Sequence, residues 1–131
     1  MVLRCVIVDD SPAFLAAARG LLERQGLSVV AVASSGTQAL RVAGELRPDV
    51  VLLDVGLNGE SGFDVASHLQ GNDSTAELPV ILISSRQEED FGELLAASPA
   101  VGFLPKISLS ADAITRMLQR DDTDGRAEAA G

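Results

Sequence analysis

Three aspartates end two of the most apolar stretches of the chain. Asp9 and Asp10 follow the apolar residues 6–8, and Asp54 follows the apolar residues 50–53. A carboxylate is costly to bury unless a cation or hydrogen-bond donors compensate for its charge. If both stretches are neighbouring parallel strands, their carboxyl ends bring the three acids to one edge of a sheet, where open α/β folds bind their ligands. The sequence therefore predicts a cation-dependent site at this edge.

Two further polar side chains are expected at the same edge. Ser84 ends the apolar residues 80–83, and Lys106 follows the apolar residues 101–104 after one proline. Lys106 is the only lysine among the ten basic residues, and an ammonium binds phosphate as a point charge where arginine presents a planar fork. Magnesium prefers oxygen ligands and is commonly held by one or two carboxylates together with a phosphate. This combination of side chains favours magnesium-dependent phosphoryl chemistry.

A simpler interpretation accounts for part of the pattern. Asp9 or Asp10 would cap the first helix, because a helix N-terminus attracts negative charge. That interpretation explains an isolated acidic pair, but it leaves Asp54, Ser84 and Lys106 at matching strand ends without a reason. We therefore prefer the functional interpretation of the five residues together.

The elements that must position these side chains follow from the hydrophobic pattern. Apolar runs rich in β-branched residues alternate along the chain with stretches of helical period. This strict alternation predicts an α/β fold, in which a doubly wound parallel sheet carries helices on both faces. Five strands are predicted over residues 3–8, 27–33, 50–53, 80–83 and 101–104, and five helices over residues 11–25, 37–46, 62–70, 87–97 and 110–120.

The length and composition limit the class of protein. The 131 residues predict one domain over residues 1–120, followed by a flexible tail or the start of a linker over residues 121–131. No apolar stretch approaches the ~18 residues of a membrane span, and the amino end lacks a secretory signal, so we expect a cytoplasmic protein. The net charge of −9 argues against nucleic acid as a direct partner. Cys5 is the only cysteine, which excludes an intramolecular disulfide.

The residues of the predicted site resemble those of the receiver domains of two-component response regulators. The resemblance covers residues 2–120 and rests on the acidic pair, on Asp54, on Ser84 and on the sequence Gly-Phe-Leu-Pro-Lys at residues 102–106. It implies a flavodoxin-like fold of three layers with the strand order 2-1-3-4-5. It also implies that Asp54 is the phosphoacceptor.

The same resemblance implies a metal and a donor. Asp10 and Asp54 would bind Mg²⁺ directly, together with the backbone carbonyl of Gly56, whereas Asp9 would act mostly through water. The phosphoryl donor would be a phosphohistidine on a sensor histidine kinase or on a histidine phosphotransfer protein, or a small acyl phosphate.

A switch is also implied by the resemblance. Lys106 and Ser84 would hold the phosphoryl oxygens, and the Ser84 hydroxyl would move to the phosphate while the ring of Phe103 turns inward. Because Phe103 carries no hydroxyl, we expect it to favour the inward rotamer more than a tyrosine would. The face made by the fourth helix, fifth strand and fifth helix would then act on a downstream protein or on an output domain that this chain does not include. Phosphorylation-linked homodimerisation is left open.

Two other functions are compatible with parts of the pattern. A magnesium-dependent phosphohydrolase with an aspartate nucleophile usually carries a second aspartate two residues after the nucleophile, where this chain has Gly56. A flavin-binding protein of the same fold would need a hydroxyl-rich phosphate loop at residues 9–12, which here are short and acidic. The chain also departs from the receiver pattern at Asn58, where the family usually has a proline, and we expect this loop to be looser.

Overall fold

A five-stranded parallel sheet forms the centre of the fold in this computed structural model, which describes the backbone of residues 2–130 and the side chains of residues 2–120. All neighbouring strands of the sheet are parallel. The predicted α/β class and the strand order 2-1-3-4-5 are confirmed. In chain order the strands are β1 (Arg4–Val8), β2 (Ser28–Ala33), β3 (Val50–Asp54), β4 (Val80–Ser84) and β5 (Gly102–Pro105), and across the sheet they run β2-β1-β3-β4-β5.

The sheet is buried between two apolar layers. Successive side chains of a strand point to opposite faces, so Val6 and Val8 enter one layer while Cys5 and Ile7 enter the other. A strand covered on both faces needs a continuous apolar run rather than an alternating one. The first layer is covered by α2 (Gly36–Leu46), α3 (Gly62–Gln70) and α4 (Gly92–Ala96), and the second by α1 (Pro12–Arg24) and α5 (Ala111–Ala130).

Cys5 is a buried hydrophobic residue of the second layer, as its place in the first apolar run suggests. Its exposed fraction is 0%, and this burial raises the pKa of the Cys5 thiol to about 12. A thiol held in its protonated form is a poor nucleophile. Cys5 therefore contributes packing rather than chemistry.

The first turn of α1 ties the acidic pair to the helix. The side chain of Ser11 accepts a hydrogen bond from the backbone N–H of Phe14 at 3.2 Å, and Pro12 takes the first helical position. Both features are typical of a helix N-terminus. The backbone N–H of Ser11 in turn donates to Oδ1 of Asp9 at 2.8 Å. This turn fixes the orientation of the Asp9 carboxylate.

The fourth helix differs from the prediction of a single helix over residues 87–97. A 3-10 turn spans Glu88–Asp90, and α4 covers only Gly92–Ala96. Gly92 interrupts the helix because its backbone has a φ of +37°, outside the right-handed helical region. The apolar period alone did not predict this break.

The loop after β3 forms an antiparallel hairpin that the sequence interpretation missed. Gly56–Leu57 pairs with Glu60–Ser61, and Asn58 and Gly59 make the turn with Gly59 at a φ of +77°. An Asn-Gly pair between two short strands is the strongest local signal for such a hairpin. The departure at Asn58 therefore marks a defined turn.

The predicted tail, residues 121–131, is described only in part. The side chains of residues 121–131 are outside the described part, so the prediction of a tail or linker start stays untested. Within residues 2–130, no helix combines the length and the hydrophobicity that crossing a membrane requires.

Gly62 provides a test of how closely α3 approaches the end of β3. Its backbone N–H donates to the carbonyl of Val55 at 2.9 Å, and a Cβ at this position would lie 2.1 Å from the carbonyl oxygen of Asp54. We expect Gly62→Ala to lower the free energy of unfolding by about 1–3 kcal/mol, because the helix must move away from the strand. Urea denaturation measures this change.

Gly56→Ala is the matched control, since the space beside the Gly56 Cα is open. We expect it to change the free energy of unfolding by less than about 1 kcal/mol. Equal effects of the two substitutions would contradict the close approach at Gly62.

Candidate functional site

The predicted residues meet at the carboxyl edge of the sheet. Asp9 follows β1, Asp54 ends β3, Ser84 ends β4 and Lys106 follows β5. Carboxylate oxygens of Asp9, Asp10 and Asp54 all lie within 4.8 Å of one another. Asp9, Asp54 and Ser84 are buried, with exposed fractions of 0%, 7% and 3%, whereas Asp10 is exposed. The acids thus form one cluster that solvent reaches from the Asp10 side.

Lys106 supplies the only positive charge in contact with this cluster among the described residues. Its Nζ lies 2.5 Å from Oδ2 of Asp9 and 3.7 Å from Oδ2 of Asp54. Oδ2 of Asp9 is buried and accepts no hydrogen bond of good geometry within the described part of the chain. The ion pair with Lys106 is therefore what compensates that oxygen. One ammonium compensates the charge of two buried carboxylates, so the cluster retains excess negative charge.

The electrostatics of Asp54 follow from this imbalance. Burial raises the pKa of the Asp54 carboxyl above its ordinary value, and the Lys106 ammonium opposes that rise. The carboxylates of Asp9 and Asp10 raise this pKa further, while a hydrogen bond from the backbone of Gly56 lowers it. A second cation near the three acids would stabilise the ionised form of Asp54.

The donor set fits magnesium. All three side chains offer carboxylate oxygens, which are the ligands that this ion prefers, and the exposed position of Asp10 leaves room for the waters that it usually keeps. Gly56, the second residue after Asp54, is exposed at the start of the hairpin. The chemistry of the three acids thus fits Mg²⁺, and the assignment of individual ligands stays a prediction.

A cavity of about 310 Å³ opens beside Asp54. Its lining includes Asp54, Ser84 and Lys106, together with Arg86 and Phe91. Oγ of Ser84 accepts a hydrogen bond from the backbone N–H of Arg86 at 3.0 Å, which ties the start of the loop after β4 to the end of the strand. A phosphoryl group attached to Asp54 would enter this space, with the hydroxyl and the ammonium on its walls.

Three phenylalanine rings form a row of contacts, and the middle ring also lines the cavity. The ring centroid of Phe91 lies 5.7 Å from that of Phe63 and 5.6 Å from that of Phe103, at tilted angles that aromatic pairs favour. Phe103 is only 7% exposed and packs within the first apolar layer, whereas its preference for the inward rotamer stays a prediction. Sequence reasoning did not single out Phe91, because the apolar period placed it inside a regular helix.

Phe14 is a second residue of the site that sequence reasoning missed. Its ring centroid lies 4.2 Å from Nζ of Lys106, with the ammonium over the ring. Phe14 is half-buried on α1 and also packs against the second apolar layer. Its position three residues after the N-cap Ser11, in the first turn of the helix that follows the acidic pair, is the signal that points toward the site.

His68 lies apart from these residues in the sequence and is an exposed residue of α3.

Comparison with known proteins identifies relatives of the chain. A family model described as the response regulator receiver domain matches residues 5–119. The transcriptional regulatory protein KdpE of Mycobacterium tuberculosis is 43% identical over 83 residues, which cover 63% of this chain and 35% of KdpE. The chain spans about half, or less, of the length of the first curated relatives that it matches.

Solved structures share the fold. The signal receiver domain of a modulated diguanylate cyclase from Desulfovibrio desulfuricans is 29% identical, with a TM-score of 0.77 over 98% of this chain and 99% of that one. The receiver domain of a sensor histidine kinase from Pseudomonas aeruginosa, described with a magnesium ion in its active site cleft, is 22% identical. Its TM-score is 0.75 over 92% of this chain and 97% of that one.

The raised pKa of Asp54 predicts how stability depends on pH. Between the ordinary value of 3.8 and the raised value, the native state binds more protons than the unfolded state, so stability falls as pH rises through this window. Asp54→Asn removes the titrating carboxyl group and with it this loss of stability. We therefore expect Asp54→Asn to be more stable than the wild type at neutral pH, with a difference that shrinks toward the acid end.

Urea denaturation over a pH series without divalent cations measures this difference. Asp73→Asn is the control, because Asp73 is exposed and lies outside the cluster, and it should show no such dependence. A difference between Asp54→Asn and the wild type that stays constant with pH would contradict the raised pKa of Asp54.

Proposed function

The chain belongs to the response-regulator receiver family, and on this premise we propose that it is a signalling module that accepts a phosphoryl group on Asp54. The donor is a phosphohistidine of a sensor histidine kinase or a histidine phosphotransfer protein. The observation that carries the proposal is the position of Asp54 at the cavity wall, 3.7 Å from the Lys106 ammonium and within 4.8 Å of two further carboxylates. A buried nucleophile, a cation for the phosphoryl group and a set of metal ligands thus share one sheet edge.

The chemistry follows from these positions. An Asp54 oxygen attacks phosphorus and forms a P–O bond, while the P–N bond of the phosphohistidine breaks and its electron pair leaves with the imidazole. With a small acyl phosphate, a P–O bond breaks instead and the electron pair leaves with the carboxylate. Charge on the equatorial oxygens is stabilised by the Lys106 ammonium and by the Ser84 hydroxyl, so positioning and electrostatics do most of the catalysis.

Asp10, Asp54 and the carbonyl of Gly56 are the proposed direct ligands of Mg²⁺, with Asp9 acting mostly through water. When bound, the ion neutralises charge that develops on the phosphoryl oxygens. The ion pair with Lys106 already engages one oxygen of Asp9, which agrees with an indirect role for this residue. The magnesium described in the P. aeruginosa receiver domain, which has the same fold, supports the choice of ion.

Output requires a second state that the phosphoryl group favours. We assign the switch to Ser84, which lines the cavity, and to Phe103, which packs against the ring of Phe91. The face made by α4, β5 and α5 would change its population of states because the phosphoryl group contacts the two states differently. A cytoplasmic downstream protein or an output domain would read this face, directly or through a phosphorylation-linked homodimer. The net charge of −9 disfavours direct binding of nucleic acid.

Phosphorylation of the purified protein tests the assignment of Asp54. After incubation with acetyl phosphate and Mg²⁺, intact mass spectrometry should show one added phosphoryl group in the wild type and none in Asp54→Asn. Asp64→Asn is the matched control, because Asp64 is an exposed acid in the first turn of α3, and it should be modified like the wild type. A phosphorylated Asp54→Asn protein would refute the assignment.

Metal binding without phosphorylation tests the ligand set. A ligand that binds the native state raises the midpoint of thermal unfolding, so a Mg²⁺ titration reports the affinity. Asp10→Asn should weaken this affinity by about 10- to 100-fold, a range that loss of an outer partner of a metal site already reaches. Asp64→Asn should leave the titration unchanged. If Asp10→Asn binds Mg²⁺ as the wild type does, Asp10 is not a ligand.

A further inference from the structure

The Lys106 ammonium has two kinds of neighbour. Two carboxylates contact it, with Oδ2 of Asp9 at 2.5 Å and Oδ2 of Asp54 at 3.7 Å. The ring of Phe14 is the other neighbour, with its centroid 4.2 Å from Nζ. The Lys106 side chain is 21% exposed, so most of it is shielded from water. The negative face of an aromatic ring attracts a cation within about 6 Å, and more strongly where water is excluded.

Four contacts form a closed loop that holds Phe14 in this place. The backbone N–H of Phe14 donates to Oγ of Ser11, and the backbone N–H of Ser11 donates to Oδ1 of Asp9. The other oxygen of Asp9 pairs with Lys106, whose ammonium lies over the Phe14 ring. The first turn of α1 therefore sets the positions of the ammonium's anionic partner and of its aromatic partner together.

From this geometry we propose that Phe14 is a positioning residue for phosphoryl transfer, which keeps the Lys106 ammonium at the cavity wall while the ammonium exchanges Asp9 for a phosphoryl oxygen. The role rests on the proposed function. A lysine side chain is a flexible stem, and Asp9 competes with the phosphoryl group for its charge. The attraction of a ring face for a cation tolerates lateral movement, whereas a hydrogen bond to a fixed oxygen does not. Phe14 thus retains the ammonium during the exchange.

Graded fluorination of the Phe14 ring tests the role. Mono-, di- and trifluorophenylalanine placed at position 14 withdraw electrons from the ring face and progressively weaken its attraction for a cation, while the size of the side chain hardly changes. We expect the initial rate of phosphorylation by acetyl phosphate at saturating Mg²⁺ to fall stepwise, by about 5- to 10-fold across the series. Phe14→Leu should be at least as slow as the trifluoro form, and Phe14→Tyr should retain most of the wild-type rate.

Phe63 provides the matched control series. Its ring packs against Phe91 at 5.7 Å, away from an ammonium, so the same fluorinated residues at position 63 should leave the rate within about twofold of the wild type. A rate that is insensitive to fluorination at position 14 would reduce Phe14 to a packing residue and overturn the proposal. Equal declines at both positions would overturn it as well.

A second measurement needs neither metal nor phosphorylation. Because Lys106 is the only lysine, labelling with ¹³C-lysine gives a single set of side-chain NMR signals. Ring currents should shift the ε-methylene protons upfield in the wild type, in Phe14→Tyr and in Asp54→Asn, and the shift should disappear in Phe14→Leu. A shift that survives in Phe14→Leu would overturn the contact itself.

The outcomes separate this role from the proposed function. A wild type that acetyl phosphate and Mg²⁺ do not modify would overturn the function, and the role of Phe14 with it. A wild type that is phosphorylated on Asp54, together with a flat fluorination series at position 14, would overturn the role alone.

Discussion

The site depends on one imbalance of charge, in which a single ammonium compensates for two buried carboxylates while a third carboxylate lies at the rim. Asp9 and Asp54 are almost fully buried, and Lys106 contacts both. Because burial and the neighbouring acids raise the pKa of Asp54 despite Lys106, the native state is stabilised by any further cation that binds there. The same imbalance that costs stability in the free protein favours a divalent metal and makes Asp54 responsive to it.

The sheet holds the acids close together despite their mutual repulsion. β1 and β3 are adjacent parallel strands, so the acids that follow them cannot separate without breaking the strand pairing. Two apolar layers enclose the strands, and Gly62 lets α3 begin against the carbonyl of Asp54, where a Cβ would be only 2.1 Å away. A close-packed interior of this kind resists the small shifts that would relieve the repulsion. The packing of the whole core therefore fixes the positions of the acids at the carboxyl edge.

The loops around this rigid edge carry the features that distinguish the chain. The Asn58-Gly59 turn shapes the hairpin after Asp54, and Gly92 separates a 3-10 turn from α4. The break at Gly92 places Phe91 at the cavity wall, against Phe103. The first turn of α1 brings the ring of Phe14 against the Lys106 ammonium.

Local pattern in the sequence determined the fold class and the residues at the sheet edge, whereas the strand order was predicted only through the resemblance to the receiver family. A buried strand needs an uninterrupted apolar run, and an acid or a lone lysine at the end of such a run has few other reasons to be there. The tertiary structure alone decided that Lys106 pairs more closely with Asp9 than with Asp54, that Phe14 lies beside its ammonium, and that Phe91 reaches the cavity. These contacts join segments far apart in the chain. They depend on strand register and on differences of about an ångström, which hydrophobic periodicity does not encode because it reports only which face of an element is buried.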